Sequence, residues 1–313
     1  MRVTNKYGLP QPIVDAVSRD NYTRGVSNIS TTQLISPPRQ VALIEAHQSE
    51  LEVDASDLIY SLFGHAIHKI LEEKEQTATA EQRLYMAVQD WVVSGAMDRI
   101  AMLPWNDGTV AIQDYKTAKT MELVRGVKRE REEQLNIYRV LAELNGYKVG
   151  KLQAIFVLRD WSKVQAANEA KRPRLGTMPS PSDYPESQVV VHDIDIWPIE
   201  EAYRFIAERV SLHREAQQAY AIAMQGTADP QVALPLCNDE ERWSRPPVFA
   251  VMKDGGKRAS KVADTEAEAL DYIAAHPKDK YAVQPRAGES LRCLYYCDAA
   301  QVCEQFKAEV AGA

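Results

Sequence analysis

Apolar residues between Asp57 and Glu73 recur at every third or fourth position: Leu58, Ile59, Leu62, Phe63, Ala66, Ile67, Ile70 and Leu71. That spacing predicts a helix with one buried face. His65, His68 and Glu72 fall together on another face. A second helix is predicted over 81–93. The pattern then changes to strands over 95–103 and 109–116, joined by a turn at Asn106-Asp107-Gly108. In the second strand Val110, Ile112, Asp114 and Lys116 share a face, because strand side chains alternate. Tyr115 points the other way and reads as packing. Residues 127–145 read as a helix that Gly146 closes. Further strands are predicted over 152–159 and 189–196, separated by a polar excursion from Asp160 to Gln188. Pro198 opens an amphipathic helix to about Ala219, with Glu200 and Glu201 in its first turn.

The two ends of the chain differ from this middle. Residues 1–50 are polar and mixed, and Ser30-Thr31-Thr32 and Pro37-Pro38 look like loop, so no chemistry is assigned there. Composition shifts near Gly226. Residues 248–286 read as a small unit, with a hairpin turn at Asp254-Gly255-Gly256 and a capping box from Thr265 and Glu268. The expected organisation is an N-terminal segment over 1–50, a core over 51–225, and a C-terminal module over 226–313 with the 248–286 unit inserted. The fold class is α/β, a central mixed sheet flanked by helices.

Composition narrows the class. Hydrophobic content of 45% and charged content of 26% suit an ordinary globular protein. No apolar run approaches the roughly 20 residues that span a bilayer. The start, Met1 to Tyr7, lacks an apolar signal core. A cytoplasmic protein without membrane contact is expected. A net charge of −7 argues against indiscriminate coating of nucleic acid. A local basic groove is compatible with it. Lys116, Lys119, Arg125, Lys128, Arg129 and Arg131 form one basic stretch, and Lys163, Lys171, Arg172 and Arg174 another. Such charges are usually a solvated surface. Beside a phosphate-cleaving site they read as a strand-guiding groove.

That site is suggested by Asp98 and Asp114, carboxylates set in otherwise apolar strand stretches. Two such groups can hold Mg²⁺ or Mn²⁺ with open coordination positions, which neutralises a phosphate and activates water. Lys116, on the Asp114 face, can orient that water and stabilise a pentacovalent phosphate. His68 can offer a ring nitrogen to the metal, with His65 the weaker candidate and Glu72 a supporting group. Small Gly64 would let the His68 helix approach the sheet closely. Gln134 and Tyr138 share a helix face and can bond Lys116 or a DNA phosphate. The bland alternatives are solvent-facing carboxylates, a structural histidine and a helix half-buried through Tyr138.

The four cysteines are Cys237 and, spaced by four and six, Cys293, Cys297 and Cys303. In a reducing compartment such a cluster more often holds metal than disulfides. The spacing is looser than zinc knuckles, which favours a 4Fe–4S cluster over Zn²⁺. Four unligated thiols are the alternative.

Four segments stand in order over roughly 55–145: Gly64 to Glu72, Ser94 to Ile100, Ile112 to Thr117, and Gln134 to Tyr138. Together they resemble the RecB-type branch of the PD-(D/E)XK nuclease superfamily. The resemblance implies a restriction-endonuclease-like fold with His68, Asp98, Asp114 and Lys116 as the catalytic set. Gln134 and Tyr138 match that branch's trailing Gln-x-x-x-Tyr. The metal would be held by His68, Asp98, Asp114 and the Tyr115 carbonyl. The terminal cysteines are similar to those of iron–sulfur-stapled members, including CRISPR-associated single-domain exonucleases and AddB-type subunits. Here, however, Cys237 follows the core instead of preceding it, and the first interval of Cys-x3-Cys-x5-Cys is one residue longer. The layout is most similar to standalone phage-encoded nucleases. The implied activity is a Mg²⁺- or Mn²⁺-dependent DNA exonuclease that processes ends in recombination or replication, alongside a recombination or single-strand-binding protein. No Walker-type phosphate loop occurs, so helicase activity would come from a partner. The alternatives are a DNA-binding or docking module with a silent site, and a sequence-specific endonuclease.

Overall fold

A computed structural model of the chain describes residues 1–18, 25–75, 78–105, 107–171, 184–226 and 229–312. They divide into two compact units. One comprises 2–36 and 52–215; the other comprises Met1, 37–51 and 216–313. The first fifty residues are therefore shared between the units and do not form a segment of their own.

The first unit is mixed α/β. Its six-stranded sheet contains β1 (Ile29–Ser30), β2 (Thr79–Val88), β3 (Trp91–Met102), β4 (Thr109–Ala118), β5 (Lys148–Leu158) and β6 (Val189–Ile194). The order is β1-β3-β4-β5-β6, and β2 also pairs with β3. Pairing is mixed: β1 with β3 and β4 with β5 are parallel, and the rest are antiparallel. Helices α1 (Ile59–Lys74), α2 (Arg129–Leu144) and α3 (Ile199–Ala223) flank it. Val93, Met97, Ile112, Leu152, Phe156 and Leu158 of the sheet are buried with Leu135 and Leu141 of α2 and Ile206 and Val210 of α3. Each such side chain contributes roughly 1.5–3 kcal/mol by leaving water. Helix α2 opens with Glu130 and Glu132 in its first turn, where the helix dipole favours acidic groups, and Gly146 follows its end at φ +91°.

The helix predicted over 81–93 is instead a β-hairpin. Residues β2 and β3 pair from Val88↔Trp91 outward through Gln82↔Met97 to Thr79↔Ile100. Leu84 and Met86 are buried while Tyr85 between them is exposed, the two-residue alternation of a strand. Leu84, Val88 and Trp91 also fit a helical spacing of four and three, so the apolar positions alone did not separate the two. The turn at Gln89-Asp90 places Gln89 at φ +55°. Asn106, in the other predicted turn, lies outside the described residues.

Two further expectations change. No residue of α1 is buried, and Phe63 and Ile70, placed on its buried face by periodicity, are exposed. Nor does Gly64 allow a close approach. A Cβ there would meet Thr117 Oγ1 at 3.6 Å, an ordinary contact. Gly95 on β3 is the glycine that matters, because its Cβ would lie 2.7 Å from both Leu141 Cδ1 and Tyr138 Cε1 of α2.

In the second unit Ala42, Leu43, Ala216, Tyr220, Leu234, Ala299 and Cys303 form a core. Strands β7 (Val248–Lys253), β8 (Ala259–Ala263) and β9 (Tyr281–Arg286) make an antiparallel sheet in the order β8-β7-β9, with α4 (Glu266–Ala275) against it. Gly255 takes φ +71° in the β7–β8 turn. Thr265 Oγ1 accepts the Glu268 N–H at 3.3 Å, while the Glu268 carboxylate takes the Asp264 N–H, so the capping box is half formed. Among the described residues no helix is long and apolar enough to cross a membrane.

Candidate metal centre and active cleft

The β3–β4 ladder ends at Arg99↔Gln113. Beyond that pair the strands no longer bond to each other, and side chains take over their backbone groups. Asp98 Oδ2 accepts the Tyr115 N–H at 2.7 Å. Asp114, next along β4, is 3% exposed and receives Lys116 Nζ at 2.5 Å. From α1, His68 Nδ1 lies 3.2 Å from Asp98 Oδ1, and its Nε2 donates to the Tyr115 carbonyl at 3.1 Å. Gln134 Nε2 on α2 donates to Tyr138 Oη at 2.8 Å. His68, Asp98, Asp114, Lys116, Gln134 and Tyr138 all line one cleft of about 740 Å³. Gln134 and Tyr138, read from the sequence as partners for Lys116 or a DNA phosphate, here bond each other. His65 and Glu72 are also on the wall.

The contacts explain the protonation states. Both ring nitrogens of His68 face acceptors, which is the arrangement of an imidazolium. Its pKa is pushed up to about 10, first by the hydrogen bond to Asp98 and then by that to Glu81. A metal bound there must displace a proton from the ring. Burial drives Asp114 toward its protonated form; the Lys116 ammonium opposes this, and the nearby Asp98 charge adds to it.

Glu81 was missed by the sequence reading. On β2 it sits opposite Asp98, between the pairs Ala80↔Arg99 and Gln82↔Met97. His68, Glu81 and Asp98 each offer a donor atom within 4.8 Å of the others. Asp114 shares the cleft but not this tight group, its carboxylate being held by Lys116. Glu81 adopts φ +49°, in the left-handed region that costs a residue with a Cβ roughly 1–3 kcal/mol. One nitrogen and several carboxylate oxygens on three strands and a helix fit Mg²⁺ or Mn²⁺, which favour oxygen donors and keep open positions. The signal for Glu81 was hairpin arithmetic. Once 89–90 is the turn, residues summing to 179 face each other, and 81 meets 98.

Arg83, Ser30, Thr31 and Thr32 also line the cleft, although the first fifty residues carried no assigned chemistry. Arg83 Nη1 donates to Ser94 Oγ at 3.2 Å. Of the basic stretch, Lys119, Arg125, Lys128 and Arg129 are exposed; Arg129 pairs with Glu133 and Arg131 with Glu122. Lys163 and Lys171 are exposed; Arg172 and Arg174 lie outside the described residues.

Cys237, Cys293, Cys297 and Cys303 are free thiols that line one small cavity in the second unit with Arg39. Burial pushes the Cys237 thiol up to about 12 and that of Cys297 up to about 11, and raises Cys293 as well. Their sulfurs do not form a group within 4.8 Å. A tetrahedral zinc with Zn–S bonds of about 2.3 Å would hold sulfurs roughly 3.8 Å apart. A cuboidal iron–sulfur cluster is larger and holds its four thiolates farther apart. Four cysteines around one small cavity are a donor set that suits either an iron–sulfur cluster or zinc.

No family model and no curated protein matches this chain. Among solved structures, the crystal structure of SSO0001 is similar over 64% of this chain and 82% of its own, at 13% identity and a TM-score of 0.39, a likeness too loose to bear on fold or chemistry.

Proposed function

We propose that the protein is a Mg²⁺- or Mn²⁺-dependent deoxyribonuclease with a restriction-endonuclease-like core, acting as an exonuclease on DNA ends. The supporting observation is the meeting of His68, Asp98, Asp114 and Lys116 in one cleft, at the point where the β3–β4 ladder stops. His68, Asp98, Asp114 and the Tyr115 carbonyl, joined by Glu81, would hold the ion. When bound, the ion supplies charge neutralisation at the phosphate and a more acidic water. Tyr115 N–H fixes the Asp98 carboxylate through Oδ2, and its Oδ1, now paired with His68, would turn to the ion once the ring gives up its proton. Lys116 holds the attacking water in line and donates to the phosphate as negative charge builds there. The Gln134–Tyr138 pair lines the same cleft as Lys116. Exposed Lys119, Arg125, Lys128 and Arg129 guide the strand electrostatically.

The same reading gives the second unit a 4Fe–4S cluster held by Cys237, Cys293, Cys297 and Cys303. Its role is structural, tying four thiols around one small cavity together by metal–sulfur bonds. Incubation of end-labelled linear DNA with Mg²⁺ tests the nuclease. Mononucleotides or short products are expected from linear DNA, and closed circular DNA should survive. Cleavage of circles at discrete positions would instead mark a sequence-specific endonuclease.

A further inference from the structure

Arg39 is 3% exposed and lies among the cysteines. Its Nε donates to Cys303 Sγ at 3.4 Å. Nη1 donates to the carbonyls of Gln231 at 3.0 Å and Leu234 at 3.4 Å, and Nη2 donates to Gln231 Oε1 at 3.1 Å. Among the described residues no carboxylate pairs with it. The one carboxylate lining the cavity, Glu309, is taken by Arg242 at 2.8 Å and Ser290 Oγ at 2.6 Å. A guanidinium buried without an anion is expensive, because neutral acceptors replace its hydration without cancelling its charge.

Gln231 completes the arrangement. Its Nε2 donates to the Val302 carbonyl at 2.8 Å, and its Oε1 accepts the Glu304 N–H at 2.9 Å. These two groups flank Cys303 in the chain. Gln231 thus grips the backbone on both sides of Cys303, while Arg39 addresses the sulfur. Protonated thiols would leave Arg39 uncompensated. Four thiolates around a metal core carry net negative charge and compensate it.

We propose that Arg39 is the positioning residue and counter-charge of the cluster held by Cys237, Cys293, Cys297 and Cys303, its Nε–H donating to the Cys303 thiolate. The inference rests on the cluster reading above. An N–H···S bond and a nearby positive charge both favour the more reduced, more negative state, so they raise the reduction potential.

The test is anaerobic reconstitution of the full-length protein with ferrous iron and sulfide, followed by potentiometric titration of the visible absorbance. Wild type is expected to have the highest midpoint potential, Arg39→Lys a lower one, and Arg39→Gln the lowest. Release of iron to a chelator should become several-fold faster in the same order. Arg39→Lys keeps the cation and loses the fork, so it carries the test if Arg39→Gln does not fold. Equal potentials and equal release in the loaded proteins would overturn the role of Arg39 and leave the cluster standing. A wild type that takes up no iron and sulfide would overturn both.

Discussion

The cleft of the first unit and the cysteine cavity of the second solve different problems with charge. In the cleft the charges are already paired: His68 with Asp98, and Lys116 with Asp114. On the proposed function an ion and a phosphate would take the place of these pairs within the space of about 740 Å³. In the cavity burial favours the protonated thiols of Cys237, Cys293 and Cys297, and buried Arg39 lies against Cys303 with no carboxylate partner among the described residues. On the proposed function the cleft would exchange these partners during turnover, and the cavity would hold a permanent one. Loss of a cleft residue should therefore cost activity, and loss of a cavity residue should cost stability.

The largest effect that sharpens this contrast is on Asp98. Asp98→Asn removes a charged donor yet retains its size, so Mg²⁺-dependent cleavage should fall by roughly 10²-fold or more, a scale typical of losing one transition-state-stabilising group. The melting temperature should stay level or rise, since functional sites are kept at some expense to stability. Cys293→Ser should do the reverse, lowering the melting temperature by several degrees while the rate of the chemical step stays within about threefold. An unchanged melting temperature in that variant breaks the contrast.

Acid should act on the first unit through His213. It is 1% exposed, its Nδ1 has no hydrogen-bond partner among the described residues, and burial followed by the Arg209 charge lowers its pKa to about 4. The unfolded chain binds this proton from about pH 6.5 and the folded chain only near 4, so stability held above 6.5 is lost as pH falls. The loss reaches roughly 3 kcal/mol by pH 4. Chemical denaturation across that range checks it, and a His213→Gln variant should flatten the dependence.

Gly95→Ala is expected to cost about 1–3 kcal/mol, the scale of overpacking, because its methyl overlaps Leu141 and Tyr138. Gly64→Ala, with only an ordinary contact to make, should be neutral or slightly stabilising. The smallest effect is at Glu81. Glu81→Gly relieves φ +49° and should raise stability by about 1 kcal/mol, while Mn²⁺ binding followed by calorimetry weakens. Unchanged affinity would remove Glu81 from the metal group.

Much of this was legible in the sequence, for reasons visible in particular residues. Asp114 and Lys116 share a strand face in any register, and Gln134 and Tyr138 share a helix face in any packing, so their neighbourhood follows from local periodicity. Glu81 was hidden because Leu84, Val88 and Trp91 satisfy a helical spacing as well as a hairpin, and only the hairpin sets Glu81 opposite Asp98. Gly64 drew attention that belonged to Gly95, since a glycine's purpose depends on what packs over it. Arg39 could not be foreseen. Its bonds to Gln231 and Cys303 span 192 and 264 residues, and nothing local marks them.

The central claim is that the residues converging beside Asp98 cleave phosphodiester bonds from DNA ends. Its most direct test is digestion of end-labelled linear DNA by the wild type and by Lys116→Ala, each with Mg²⁺ and with EDTA. Digestion by the wild type alone, and only with the ion present, is the predicted result. Intact DNA in every lane, or equal digestion by both proteins, would contradict it.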